Sequence, residues 1–154
     1  MRYYTHITTS LSAAILIGEV ASINVPLTST WVVSGVILGS VLPDIDESRS
    51  WIGQRIPFLS STIKALFGHR GLTHSGIVLA IMIAAMVHFS HEFLLGLFFG
   101  VALHIIGDFF SVGGIPLLYP FSKKRSQIGI YRTGTWSEAL IFIGSFGFLI
   151  YSFL

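Results

Sequence analysis

The sequence predicts an all-α, polytopic membrane bundle of about five spans, with an interfacial segment between the second and third. Three observations carry this. Hydrophobic residues fill 53% of 154 positions and charged residues only 10%, with mean hydropathy +0.79, whereas a soluble domain carries about 25% charged residues. The connections between apolar runs alternate between short ones without Lys or Arg and long basic ones. The acids and histidines recur at the ends of the runs that one membrane face would hold.

The elements follow in order. The first run, Thr8–Val25, is preceded by His6. It lacks a basic leader and a small-residue cleavage signature and holds Glu19, so it reads as a retained span. The second, Thr30–Leu42, closes on Pro43-Asp44-Ile45-Asp46. Arg49–Phe67 interleaves Trp51, Ile52, Ile56, Phe58, Leu59, Ile63, Leu66 and Phe67 with Arg55 and Lys64, which suits either an amphipathic helix lying on the membrane or a loop packed on the bundle end. Ser75–Phe89 is opened by His69 and His74, Phe93–Val112 ends on His104 and Asp108, and Trp136–Leu154 begins beside Glu138. A crossing wants about 20 residues. The second and third runs fall short, and need continuation into the polar motifs or a thinned bilayer. One domain over 1–154 is the expected organisation.

The short connections, Asn24–Ser29 and His88–Glu92, contain no Lys or Arg, whereas Glu47–Gly68 and Gly113–Thr135 carry most of them. All 9 basic residues fall on the motif-bearing side. The positive-inside rule places that side in the cytoplasm, with the N-terminus in and the C-terminus out.

The polar stations suggest a shared metal site. With no cysteine in the chain, disulfides and thiolate ligation are excluded, which leaves imidazole and carboxylate. Asp44 and Asp46, two residues apart after Pro43, can both meet cations, or one can ligate while its neighbour orients a ligand. As helix-end decoration they would oppose the helix dipole. His69-Arg70-Gly71-Leu72-Thr73-His74-Ser75 offers two imidazoles, a guanidinium suited to phosphate, and hydroxyls of which Thr73 or Ser75 can cap the next helix. His104 and Asp108 share a helix face at i, i+4. Gly96 and Gly100 continue that stripe, which therefore faces the bundle, and Gly35-x-x-x-Gly39 serves helix packing. Glu138 can complete a ligand set, act as a base, or sit at the favourable end of its helix dipole. His6 is a ligand or a headgroup-level residue. Glu19, His88, His91 and Glu92 lie nearer the far face and are excluded.

Pro43-Asp44-Ile45-Asp46, His69 to Ser75, His104-Ile105-Ile106-Gly107-Asp108, and Gly113-Gly114-Ile115-Pro116-Leu117-Leu118-Tyr119-Pro120-Phe121 together resemble the YdjM-like family of membrane-bound, predicted metal-dependent hydrolases. The resemblance runs from His6 to Glu138, with Tyr119 where Trp is common. It implies an inner-membrane protein whose metal ligands fall on His6, Asp44, Asp46, His69, His74, His104 and Asp108. The all-His/carboxylate ligand set is similar in type to that of zinc-dependent phospholipase C and related nucleases. Those use clustered zinc to hydrolyse phosphate esters. So many ligands exceed one tetrahedral zinc, which favours two or more ions, zinc or manganese.

The expected function is hydrolysis of a phosphoester in a lipid or lipid-linked substrate by a metal-activated water. Asp46, Arg70 and Glu138 are the expected catalytic residues, and Arg70, Thr73, Lys123 and Lys124 the substrate-binding ones. No nucleic-acid partner is expected. A transporter or metal-ion carrier is disfavoured, because transport sites sit near the midplane, often within repeats. A non-catalytic, metal-stabilised scaffold is the remaining alternative.

Overall fold

The computed structural model describes residues 1–21 and 28–154, without the side chains of residues 19–21. The side chain of Glu19, residues 24–27 of the first short connection, and the end of the first run at Val25 lie outside what is described. Among those described, six α-helices run in the order α1 (Tyr3–Ala21), α2 (Thr30–Gly39), α3 (Pro57–Phe67), α4 (Gly76–His88), α5 (Glu92–Phe110) and α6 (Trp136–Ser152). Short 3-10 turns at Leu42–Asp46 and Leu72–His74 precede α3 and α4 respectively, and the fold is all-helical, with two isolated β-bridges in the connection before α6.

Local chemistry sets the helix ends. Ser75 caps α4, its hydroxyl accepting the Val78 amide at 3.2 Å, so of the two capping candidates Ser75 is used. Pro43 enters the first 3-10 turn near its start, where a missing N–H is harmless. Helix α1 begins earlier than its apolar run, so His6 lies within its first two turns and not ahead of it. The hydroxyls of Thr8 and Thr9 return to the Thr5 carbonyl at 3.2 and 2.7 Å, which satisfies polar groups within the helix.

Of the expected spans, α5 is long and apolar enough to cross a membrane, with mean hydropathy 2.0, while α4 and α6 are apolar but shorter. Helix α2 has 10 residues, about 15 Å of rise, because the chain turns into its 3-10 segment soon after Gly39. The Arg49–Phe67 segment contains a helix, α3, which buries only Ser60 and leaves Phe58 85% exposed.

The most extensive packing is between α2 and α5. A Cβ at Gly35 or Gly39 would overlap the carbonyls of Phe93 or Leu97, and one at Gly96 or Gly100 would overlap those of Val32 or Val36. The two small-residue stripes thus press backbone on backbone. The contacts advance together along both helices, so α2 and α5 run parallel, starting where Ser29 donates to Glu92. Val32, Val36 and Phe99 fill the core beside them with Ala14 of α1. Helices α1 and α6 are also parallel: Glu138 meets the Arg2 amide, and farther along Ser145 meets Thr8 and Ser12. The starts of α1, α4 and α6 and the ends of α2 and α5 therefore gather at one end of the bundle.

This packing predicts an asymmetry among glycines. Gly100→Val should destabilise the protein by about 2 kcal/mol or more, since the clash is with backbone. Gly147→Val on α6, where an added Cβ meets nothing within 4 Å, should leave melting in detergent nearly unchanged. Equal melting shifts for the two would contradict the close backbone approach.

Candidate metal centre

At the gathered end, α5 presents His104 and Asp108 inward, both fully buried. The Nδ1 of His104 lies 2.6 Å from the Ser40 carbonyl, which can only accept, so Nδ1 carries the proton and Nε2 exposes a lone pair. The Nδ1 of His74 lies 3.1 Å from Asp46 Oδ2, again an acceptor, so its Nε2 is free as well. These two Nε2 atoms face each other at 3.1 Å. Two lone pairs at that distance repel unless a proton or a metal cation lies between them. Two nitrogens on one tetrahedral zinc, each about 2.0–2.1 Å from it, sit roughly 3.3 Å apart. The donor atoms fit.

Carboxylates complete the cluster. Asp44 Oδ1 is 3.6 Å from His74 Nε2 and 3.7 Å from His104 Nε2. Asp108 Oδ2 is 3.6 and 4.0 Å from the same atoms. On the other side, His6 stacks on His104 with ring centroids 3.7 Å apart, and its Nε2 lies 3.6 Å from Asp108 Oδ1. That Nε2 is buried and has no hydrogen-bond partner. Two triads result, His6–His104–Asp108 and Asp44–His74–His104, each with donor atoms within 4.8 Å of one another. They share His104.

Several expected site residues take other positions. Asp46, expected as both ligand and catalytic residue, is spent on its neighbours: Oδ1 meets His69 Nδ1 at 3.0 Å, while Oδ2 accepts the Arg70 amide at 2.9 Å, the Thr73 hydroxyl and His74. It holds His69 and His74 in place, and lies outside both triads. His69, expected as a ligand, and Thr73, expected at the substrate, are drawn into the same network. Arg70 sits in the left-handed region at φ 55. Its Nη2 lies 2.6 Å from Asp108 Oδ2, and its Nη1 donates to Ser111 Oγ and the Gly114 carbonyl at 3.3 and 3.2 Å. A Cβ on Gly113 would overlap that guanidinium, so the glycine makes room for it. The Arg70–Asp108 pair lacks hydrogen-bond alignment, and Oδ2 has no other hydrogen-bond donor. Glu138 is outside both triads. Its carboxylate accepts the amides of Arg2 and of Gly134, the latter at 2.6 Å, the helix-start role among those expected. Lys123 and Lys124 are exposed and border no part of the cavity described next.

That cavity, about 330 Å³, opens onto Asp44, His69 and Arg70 and is bordered by Arg2, Arg49 and Trp51. Sequence reasoning missed Arg2 and Arg49 as its basic rim, and Ser40 as the group fixing His104. A backbone carbonyl leaves no signature in residue type.

The sequence matches the family described as YdjM inner membrane protein over residues 1–153. The chain belongs to the YdjM inner membrane protein family. It is 39% identical over 114 residues to YvsG of Bacillus subtilis (strain 168), covering 72% of this chain and 70% of that protein. It is 32% identical over 123 residues to the inner membrane protein YdjM of Escherichia coli (strain K12), covering 75% of this chain and 63% of that protein. The same figures hold for YdjM of Shigella flexneri. The chain thus spans less than two thirds of the length of the YdjM proteins. No solved structure matches it. Family membership supports a membrane location.

Asp46→Asn tests the orienting role. The amide would present an N–H or a weaker acceptor to His74, and affinity for zinc should fall by about 10–100-fold with little change in helix content. Competition against a chromogenic chelator measures this, and unchanged affinity would place Asp46 outside the support of the site.

Proposed function

We propose that this chain is a membrane-embedded, metal-dependent hydrolase that cleaves a phosphoester of a lipid or lipid-linked substrate at the cytoplasmic face of a bundle of about five spans. The observation that carries the reading is the facing pair of Nε2 atoms on His74 and His104, each with its Nδ1 tied down and with carboxylate oxygens at 3.6–4.0 Å. His6, Asp44, His74, His104 and Asp108 would hold divalent metal, and nitrogen and oxygen donors without thiolate suit zinc or manganese. His104 offers a single lone pair and so serves one ion, and a second ion would rest on the remaining His6 and carboxylate donors. When bound, such ions lower the pKa of a water and offset charge developing on a phosphoryl group.

The remaining roles belong to the chain itself. Asp44 is the one candidate ligand with appreciable exposure, 17%, so it stands between the cluster and the cavity that admits water. Arg2 and Arg49 on the rim suit an anionic headgroup, with Arg70 at the inner end, where it also holds Asp108. Asp46 keeps His74 aimed. An accessible cluster edge beside a basic cavity favours an enzyme over a scaffold.

The topology in this proposal has α1, α2, α4, α5 and α6 crossing, with α2 and α4 extended by their 3-10 turns, and α3 lying on the surface with Phe58 and Leu66 toward lipid. All Lys and Arg lie in the segments that gather at the cluster end. A reporter inserted near Ser126 should then read cytoplasmic and one fused after Leu154 extracytoplasmic. The opposite pattern would reverse the assignment of the face.

Chelator-free protein should contain at least one zinc or manganese ion per chain by elemental analysis. His104→Ala should lose that metal and abolish phosphate or diglyceride release from membrane lipids. Its melting temperature in detergent should stay close to that of the wild type, because packing of apolar helices supplies most of the stability. Absence of metal would remove the premise. Strong destabilisation by His104→Ala or by chelator, with no hydrolysis by the wild type, would identify a structural metal.

A further inference from the structure

A second cavity, about 360 Å³, lies between α1, α5 and α6 and is walled mainly by apolar groups, among them Ala13, Leu103, Ile106, Phe110 and Ile141. Along α5 it extends from Leu103 to Phe110, about 10 Å of helix rise. Ile106 and Phe110 are 38% and 36% exposed, so the groove is open along the outer face of the bundle. Gly107 is part of its lining. A Cβ built there would meet the His6 ring at 3.9 Å and Met1 Sδ at 4.0 Å, so the groove approaches a candidate ligand beside Met1. The Tyr131 hydroxyl donates to the Gly107 carbonyl at 3.0 Å and fixes that part of the wall. Met1 borders both this groove and the polar cavity that reaches Asp44 and Arg70.

We infer that this groove holds one hydrocarbon chain of a phospholipid whose phosphate faces the metal cluster. The placement of the phosphate rests on the proposed phosphoester reading. The occupant follows from three features taken together. The walls are apolar on a family of membrane proteins, which excludes a polar guest. The groove runs about 10 Å along α5, about two helical turns, from Leu103 to Phe110, a length that a stretch of one acyl chain fills. At Gly107 it comes near His6, and Met1 borders both it and the basic cavity, so a molecule filling both is polar at one end and apolar at the other. Ordinary bilayer lipid would contact the convex face of α6 equally well, where Ile143, Phe146 and Ile150 are exposed. Neither the groove nor the polar cavity is lined by these three residues.

The test uses full-length, zinc-loaded protein in nanodiscs of phosphatidylethanolamine and phosphatidylglycerol. The probe is phosphatidic acid with a diazirine midway along one acyl chain. After photolysis, adducts mapped by mass spectrometry should concentrate on Ala13, Leu103 and Ile106 relative to Ile143, Phe146 and Ile150. Unlabelled phosphatidic acid should compete them away. Ile106→Trp, which fills the groove from its exposed wall, should lower groove adducts by about tenfold, and Ala13→Phe from the opposite wall should do the same. Adducts spread evenly over the groove and the α6 face, or unmoved by both variants, would overturn the inference. Phosphate release, followed in parallel, separates the two readings. Groove adducts without turnover would support the groove and count against the hydrolase, whereas turnover without groove adducts would do the reverse.

Discussion

The approach of α2 to α5 is the constraint on which the rest of the site depends. Gly35, Gly39, Gly96 and Gly100 remove the side chains that would hold the two backbones apart, and in a lipid environment such close contact is what drives helix association. Because the helices run parallel, the contact propagates in register up to the cluster. It delivers the Ser40 carbonyl to His104 Nδ1 and brings the following 3-10 turn, with Asp44 and Asp46, against the end of α5. A shift of one residue along this seam would remove the acceptor from His104 and move both carboxylates together.

Around that seam the polar groups divide into those that face the cluster and those that hold them there. Asp46 is fully buried, and a buried carboxylate is tolerated only when donors surround it. Its partners come from the 69–74 segment, so one anion both neutralises its own burial and folds that segment over the site. Arg70 extends the tie in the other direction, from its amide on Asp46 to its guanidinium on Asp108, Ser111 and Gly114. The left-handed backbone at Arg70 is where the chain turns between these two anchors.

Much of this arrangement was legible in the sequence. If helices alternate direction, the positions of His6, Asp44, His74, His104 and Asp108 relative to the apolar runs bring them to one end, and they are found there. The membrane family was legible in the ordered motifs. Other features needed the third dimension. In a 3-10 turn each residue advances about 120°, so Asp44 and Asp46 point apart, and nothing in Asp-x-Asp says which one faces the cluster. Glu138 needed the position of Arg2, far away in sequence. The apolar runs set α1 too late because its first turns are rich in threonine, whose hydroxyls bond to the helix's own carbonyls. The lengths of α2 and α4 fell below those of an ordinary crossing because their polar ends are wound as 3-10 turns and loops.

Asp44 alone among the clustered side chains reaches the cavity, while His6, His74, His104 and Asp108 are sealed from solvent at 0–1% exposure. Among the described residues, the cavity at Asp44 is therefore the cluster's doorway to solvent. Any molecule seated in the cavity stands in that doorway and takes the place of solvent beside Asp44. The local dielectric falls at the moment of occupancy, and the charges around the two imidazoles interact more strongly than they do in the open state. Drying the site in this way needs no separate lid; the guest itself is the closure.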